Sequence, residues 1–183
     1  MTLETKKIST PESRWGHSDK PLHFTGEISQ EKLFPRLKFL DQIAVRELNR
    51  VVFEEAIISE TKSTVLVVGS LVDLSYLLQK DSDVDLLVCF EDPSKRNNLT
   101  YRVLKRLIAE GNFVEYPSRG CSAPNLEDPP NTQIKLVWTS HLNNLTIDRS
   151  FIDVTFLGAN AGSVQEELNF HRKNNLAFCL LNQ

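Results

Sequence analysis

The 183-residue sequence has few cysteines, no long apolar run and no excess of positive charge. Cys89, Cys121 and Cys179 include no CxxC pair, which predicts reduced thiols rather than a disulfide framework or a zinc site. The apolar runs are far shorter than the roughly 20 residues of a membrane helix, and the polar N-terminus lacks a signal-peptide pattern. A formal net charge of −3 provides no basic field for nucleic acid or anionic lipid. These properties predict a cytoplasmic protein with no membrane partner.

The composition is that of a globular protein, with 40% apolar and 25% charged residues. Residues 1–30 carry Pro11, Gly16 and Pro21 among polar residues, which predicts an irregular N-terminal arm. Residues 31–183 are long enough to bury a core of their own and are predicted to form one domain.

Apolar periodicity predicts alternating helices and strands after residue 30. The predicted helices cover about 30–58, 71–80, 99–109 and 164–180, with Pro35 in the first turn of the first helix. The predicted strands cover about 65–68, 83–90, 113–116, 134–138 and 151–157, and residues 117–131 form a long Pro-rich loop. This alternation predicts an α/β (α+β) protein, with helices packed on a mixed, twisted sheet.

The segment DSDVDLLVCF places Asp81, Asp83 and Asp85 at alternate positions immediately before an apolar run. Carboxylates repel one another and resist desolvation, so this arrangement opposes folding unless a positive charge lies between them. A calcium loop of the EF-hand type is excluded. Its sixth position requires Gly and its twelfth requires Glu, whereas Leu86 and Asp92 occupy these positions.

Two interpretations of the acidic segment remain, a solvated turn before a strand and a divalent-cation site. Side chains alternate along a strand, so Asp83 and Asp85 share one face while Val84 and Leu86 point into the core. Two carboxylates on one face can share a pair of divalent cations about 3.5–4 Å apart, as in phosphoryl transfer.

Two further features favour the cation site. The strand VLVV ends at Gly69-Ser70, where backbone amides and a hydroxyl could approach phosphate oxygens closely. Downstream, FIDVTFL carries a single carboxylate, Asp153, inside an apolar strand. A cation bridging Asp153 to the earlier aspartates would remove the cost of burying it.

This combination of Gly69-Ser70, SDVD over 82–85 and a lone Asp153 resembles the polymerase-β-like nucleotidyltransferase superfamily, over about residues 35 to 160. Its members include poly(A) polymerases, terminal uridylyltransferases, oligoadenylate synthetases and CCA-adding enzymes. The resemblance implies a nucleotidyltransferase-like palm, so that 31–183 would be a catalytic domain. It also implies transfer of a nucleoside monophosphate from an NTP to a hydroxyl, with Mg²⁺ or Mn²⁺ as cofactor and pyrophosphate as product.

The resemblance also implies roles for individual residues. Asp83 and Asp85 would bind both metal ions, and Asp153 would hold the metal that activates the acceptor hydroxyl or act as its base. The implied nucleotide-binding residues are Gly69, Ser70, Lys80 and Ser82. The acceptor could be an RNA 3′ end, a small nucleotide or a protein side chain, and a partner subunit is possible.

The sequence departs from the superfamily pattern in two respects. Many relatives have a basic residue soon after the Gly-Ser pair, whereas residues 71–79 have none and Lys80 is the first candidate. Larger relatives also add a helical domain that grips the base, and this chain ends before one. The alternative is therefore a catalytically silent relative that serves as a nucleotide- or protein-binding subunit.

Other charged and aromatic residues are interpreted structurally. Arg102, Lys105 and Arg106 lie on one side of a predicted helix and indicate a solvated charged face rather than a phosphate contact. Trp138 alternates with Leu136 and is predicted to be a core residue rather than a base-stacking platform.

Overall fold

The computed structural model describes residues 26–74, 83–110, 113–115, 131–139 and 149–181. The helices are α1 (Gln30–Leu33), α2 (Phe39–Ile58), α3 (Arg96–Ala109) and α4 (Val164–Lys173), with 3-10 turns at Phe34–Arg36 and Gly69–Leu71. The strands are β1 (Ser63–Val68), β2 (Val84–Phe90), β3 (Phe113–Glu115), β4 (Asn131–Thr139), β5 (Arg149–Leu157) and β6 (Cys179–Leu181). Among these described helices, none combines the length and apolar character needed to span a bilayer.

The described strands form one sheet in the order β3-β4-β5-β2-β1-β6. β2 and β5 run parallel, and the other neighbouring strands are antiparallel. A mixed sheet with helices packed on it confirms the predicted fold class.

The central strands are covered on both faces, although unequally. Val84, Leu86 and Val88 of β2 belong to the larger apolar core, which includes residues of α2 and α3. The alternate residues Leu87 and Cys89 belong to a smaller apolar cluster on the opposite face. Its other members are Leu66, Val68, Leu157 and Phe178, packed against Ala161, Val164, Leu168 and Leu180. Because side chains alternate, Asp85 lies on this second face, beside the smaller cluster.

The N-terminal helix is interrupted, so the prediction of one helix over about 30–58 is wrong. Pro35 lies in the 3-10 turn, and Leu37 is extended, with φ −81° and ψ 139°. Proline lacks the N–H that a continuous helix would use, and the chain begins α2 afresh at Phe39. The Lys38 backbone N–H donates to Asp41 Oδ2 at 3.2 Å, which stabilises this new N-terminus.

The C-terminal helix is shorter than the predicted 164–180, because the chain turns and adds a strand. α4 ends at Lys173, and Asn175 adopts a left-handed conformation with φ 53°. β6 then pairs antiparallel with β1, with Cys179 opposite Val67. Burial of Cys179 and of Leu181 against the sheet favours this strand over a longer helix.

Several predictions fall partly or wholly outside the described residues. Cys121, the loop over 117–131 and most of the predicted 71–80 helix lie there, as does Asp81. The boundary between the arm and the domain stays a prediction, because residues 1–25 are outside the described ranges.

Ile28, just before α1, is buried in the core, and its N–H donates to the Phe178 carbonyl at 2.9 Å.

Arg96, at the start of α3, is a buried cation that joins the ends of two strands. Its side chain is in the core, with only 1% of the residue exposed. Nε donates to the Phe90 carbonyl at 2.7 Å, at the end of β2. Nη1 donates to the carbonyls of Gly158, Ala161 and Gly162 at 3.0–3.2 Å, in the turn after β5. These bonds give the Nε and Nη1 groups carbonyl acceptors and connect the end of β2 to the turn after β5.

The charged face of α3 pairs with α2. Arg102 forms an ion pair with Glu55 at 2.6 Å, and Arg106 pairs with Glu54 and Glu55.

Trp138 is buried and packs edge-to-face on Phe113, with ring centroids 4.9 Å apart, as its alternation with Leu136 predicts. These residues therefore have structural contacts.

Candidate functional site

One row of paired residues crosses four strands on the second face of the sheet. Asp85 of β2 lies opposite Val68 of β1 on one side and Asp153 of β5 on the other. Asp153 in turn lies opposite Lys135 of β4. Directly paired residues on neighbouring strands share a face, so two carboxylates and an ammonium are brought side by side.

Asp83 joins this row through an ion pair. It precedes β2 and lies two residues before Asp85. Lys135 Nζ donates to Asp83 Oδ2 at 2.7 Å and lies 3.2 Å from Asp153 Oδ2. The side chains of Asp83 and Asp153 are 36% and 39% exposed, so the pair is open to solvent on one side. We call Asp83, Asp85, Asp153 and Lys135 the carboxylate cluster.

Asp85 is the least solvated carboxylate of the cluster. Burial, followed by the charges of Asp153 and Asp83, raises its pKa to about 6, and Lys135 only partly opposes this effect. None of the ion pairs between described residues involves Asp85. A carboxylate in this position can be stabilised by a further cation, because it has negative neighbours and incomplete solvation.

Neighbouring charges also shift the pKa values of Asp153 and Lys135. Burial raises the pKa of Asp153, as does the charge of Asp83, while the hydrogen bond from Lys135 opposes the rise. The pKa of Lys135 is raised, first by its hydrogen bond to Asp83 and also by Asp153. With all four groups ionised, three carboxylates face one ammonium, so the cluster retains net negative charge.

Gly69 forms the wall of the cluster next to Asp85. It begins the 3-10 turn after β1 and has φ +80°, a conformation that side-chain-bearing residues rarely adopt. A Cβ at this position would overlap with Asp85 Oδ2. Glycine is therefore required here for the backbone conformation and for the approach of the Asp85 carboxylate, and Ser70 follows it in the same turn.

Gly69→Ala should destabilise the protein more than Gly26→Ala, which serves as its matched control. Gly26 also has positive φ, +106°, but a Cβ there would have no atom within 4 Å. The left-handed backbone alone should cost each variant about 1–2 kcal/mol, and Gly69→Ala should lose at least about 1 kcal/mol more through displacement of Asp85. Urea unfolding of both variants measures the difference. Equal losses would show that the contact with Asp85 contributes nothing.

The structure brings together four of the residues that the sequence singled out, namely Gly69, Asp83, Asp85 and Asp153, with Ser70 adjacent. Lys80 and Ser82 lie outside the described residues. Within the described ranges, no three acidic, histidine or cysteine side chains are arranged closely enough to hold one metal ion. The ammonium of Lys135 contacts the two carboxylates that such an ion would share.

The sequence interpretation missed Lys135, although a signal for it was present. Lys135 is the one charged residue of β4, and Asp153 is the one carboxylate of β5, whose other charged residue, Arg149, lies at the start of the strand. Antiparallel pairing of these consecutive strands places the two opposite charges side by side. Two single charges of opposite sign at the centres of neighbouring strands could have predicted the pair.

Comparison with known proteins gives matches to solved structures alone. No family model matches the chain, and neither does any curated protein sequence. The Cid1 poly(U) polymerase with MgGTP bound matches 71% of this chain and 33% of its own, at 22% identity and a TM-score of 0.42. The same polymerase with the UTP analog UMPNPP matches 81% of this chain and 36% of its own, at 18% identity and a TM-score of 0.45.

These matches span about a third of the length of the solved polymerase. With identities below 25% and TM-scores below 0.5, the matches assign no activity to this chain.

Proposed function

We propose that this protein transfers a nucleoside monophosphate from an NTP to a hydroxyl acceptor, with Asp83, Asp85 and Asp153 at the reaction site. The observation that carries the proposal is the convergence of these three carboxylates on one face of a parallel strand pair, beside the Gly69 turn. In this reaction the acceptor oxygen bonds to the α-phosphorus as the bond to pyrophosphate breaks. The hydroxyl proton leaves to a base.

The donor chemistry of the cluster suits Mg²⁺ or Mn²⁺ as a cofactor, although its carboxylates must move closer together to hold one ion. Carboxylate oxygens are the ligands that these cations prefer. Burial, and then the charges of Asp153 and Asp83, raise the pKa of Asp85, and a bound cation would offset both effects. Asp83, Asp85 and Asp153 would hold the cation after Lys135 moves aside. A bound cation of this kind neutralises phosphate charge and favours deprotonation of a coordinated hydroxyl.

Residues of the chain are proposed to accept the proton and to contact the triphosphate. The exposed side of Asp153 gives its carboxylate access to an acceptor hydroxyl, so Asp153 can receive the proton or orient the group that carries it. Gly69 has no side chain, so the backbone of the turn at Gly69 and Ser70 can approach the triphosphate. Lys80 and Ser82 are proposed to contact the same triphosphate.

A labelled-nucleotide assay tests the proposal. The wild-type protein is incubated with each of the four α-labelled NTPs, Mg²⁺ or Mn²⁺, and RNA, nucleotide or protein acceptors. We expect a labelled product that requires the cation, and roughly a hundredfold or greater loss of rate in Asp153→Asn. Asp92→Asn, which removes a carboxylate in the loop after β2, is the control and should retain the wild-type rate. No cation-dependent product with any combination would contradict the proposal.

Lys135 also supports a second function, that of a catalytically silent nucleotide- or protein-binding subunit. Its ammonium already neutralises part of the cluster without a metal ion, as a resident cation would in a site that no longer binds one. Calorimetry with NTP and Mg²⁺ distinguishes the functions. Tight binding without labelled product favours the silent nucleotide-binding subunit, and neither binding nor product favours a protein-binding subunit.

A further inference from the structure

We propose that Lys135 is a built-in counter-cation that competes with a divalent cation for Asp83 and Asp153, and so sets the cation affinity of the site. This inference rests on the proposed function only in requiring that the cluster bind a divalent cation. It assigns no step of the reaction to Lys135, which is a positioning residue.

The competition follows from shared ligand atoms. Lys135 Nζ contacts Asp83 Oδ2 at 2.7 Å and Asp153 Oδ2 at 3.2 Å, one oxygen of each carboxylate. An ammonium donates hydrogen bonds to carboxylate lone pairs, and a metal ion needs the same lone pairs as ligands. A dication held by the same two carboxylates would also repel the nearby ammonium, so divalent binding favours movement of Lys135 away from them.

The charges of the cluster allow a dication to displace Lys135, and Lys135 weakens the binding of that dication. A single ammonium cannot balance three carboxylates, and Asp85 forms none of the described ion pairs. A dication brings more positive charge to the cluster than Lys135 does, so it can displace the ammonium. The ammonium in turn lowers the gain from binding, because the displaced Lys135 loses its bonds to the carboxylates.

Lys135 also lies beside an aromatic ring while it contacts the two carboxylates. Its Nζ lies 6.0 Å from the ring centroid of Phe151, which belongs to β5 and lies two residues before Asp153. An ammonium over an aromatic face is stabilised by the ring at about this distance. The Phe151 ring thus lies close to the ion pair, and Lys135 can stay near it when the side chain shifts away from the carboxylates.

Binding of Mn²⁺ to charge variants tests the inference directly. Lys135→Met keeps an unbranched side chain but removes the ammonium, and we expect it to bind Mn²⁺ at least about tenfold more tightly than the wild type. Lys135→Arg retains the charge and should keep weak binding. Lys105→Met removes the same charge from an exposed position on α3 and should match the wild type. Free Mn²⁺ measured by electron paramagnetic resonance provides the readout.

A second measurement uses the wild-type protein and does not depend on the folding of a variant. Chemical labelling of lysines, read by mass spectrometry, should modify Lys135 several-fold faster in saturating Mg²⁺ than in chelator, because its ammonium leaves the carboxylates. Lys105 should be labelled equally in both conditions. Equal or weaker Mn²⁺ binding by Lys135→Met, or Lys135 labelling that saturating Mg²⁺ leaves unchanged, would overturn the inference.

Failure of the inference and failure of the proposed function give different results. Tighter Mn²⁺ binding by Lys135→Met with no labelled product from any NTP supports the counter-cation and contradicts nucleotidyl transfer. Cation-dependent transfer by the wild type with equal Mn²⁺ affinity in Lys135→Met supports the function and overturns the counter-cation.

Discussion

Replacing Asp85 with asparagine should stabilise the protein in metal-free buffer at neutral pH, while abolishing its response to divalent cations. Asp85 is the carboxylate with the most strongly raised pKa in the cluster, and it has Asp83 and Asp153 as negative neighbours. Asparagine has nearly the same shape and no charge, so it removes this repulsion and the cost of desolvation. It also removes a proposed metal ligand, and nucleotidyl transfer should be lost with it.

The pH dependence follows from the sign of the pKa shift. The pKa of Asp85 rises from the ordinary value of 3.8 to about 6, so the folded protein holds this proton more tightly than the unfolded chain. The wild type therefore loses stability as the pH rises from about 4 to about 6, by at most about 3 kcal/mol. Partial solvation of the site reduces the expected gain of Asp85→Asn to about 1–2 kcal/mol at pH 7.5. The two proteins should be equally stable near pH 4.

Thermal unfolding in chelator at several pH values measures this difference, which corresponds to a melting temperature higher by roughly 2–8 °C above pH 6. Asp92→Asn is a control for which we expect the opposite change in stability. Asp92 accepts hydrogen bonds from the Ser94 hydroxyl and N–H, which lower its pKa, so its replacement should reduce stability at neutral pH. A lower melting temperature of Asp85→Asn in chelator at pH 7.5 would show that Asp85 is structural.

Replacing Arg96 with methionine should destabilise the protein by about 3 kcal/mol or more. Methionine fills much of the buried space of the arginine stem but cannot donate to the four carbonyls at the ends of β2 and β5. Buried carbonyls without a donor retain their desolvation cost. Lysine keeps the charge but cannot reach all four acceptors in the fork geometry, so Arg96→Lys should lose less than Arg96→Met.

Chemical denaturation of the Arg96 variants gives the free energy of unfolding directly. Arg172→Met is the matched control, because Arg172 is 52% exposed and its ion pair with Glu27 is 3.6 Å long. An exposed pair of this kind contributes about 0–1 kcal/mol. If Arg96→Met and Arg172→Met lose similar amounts, the bonds that join β2 to β5 are not important for stability.

The sequence predicted the strands of the site well because their signal is local. β1, β2, β4 and β5 are apolar and rich in β-branched residues, and each was located to within a few residues. The alternation in β2 also correctly separated Asp85 from the core residues Val84 and Leu86. What brought Asp153 next to Asp85 was the strand order, which no local pattern specifies.

Two of the features that the sequence did not predict depend on contacts between distant segments, and a third is a local break in a helix. β6 has three residues, too few for a periodic signal, and it is a strand because β1 offers a free edge beside it. The break at Leu37 reflects the combined effect of Pro35 and the N-terminal contact of Asp41. Lys135 gained its meaning only from the pairing of β4 with β5.

The parallel pairing of β2 with β5 also has a consequence for the order of folding. β1 and β2 are antiparallel neighbours and can associate early, whereas β5 reaches β2 only after the intervening chain, including α3 and β4, has been placed. Such non-local pairing closes a long loop and slows folding. We therefore expect Asp85 and Asp153 to come together only late in folding. Their mutual repulsion should oppose this docking step rather than initial collapse, and divalent cations should accelerate it.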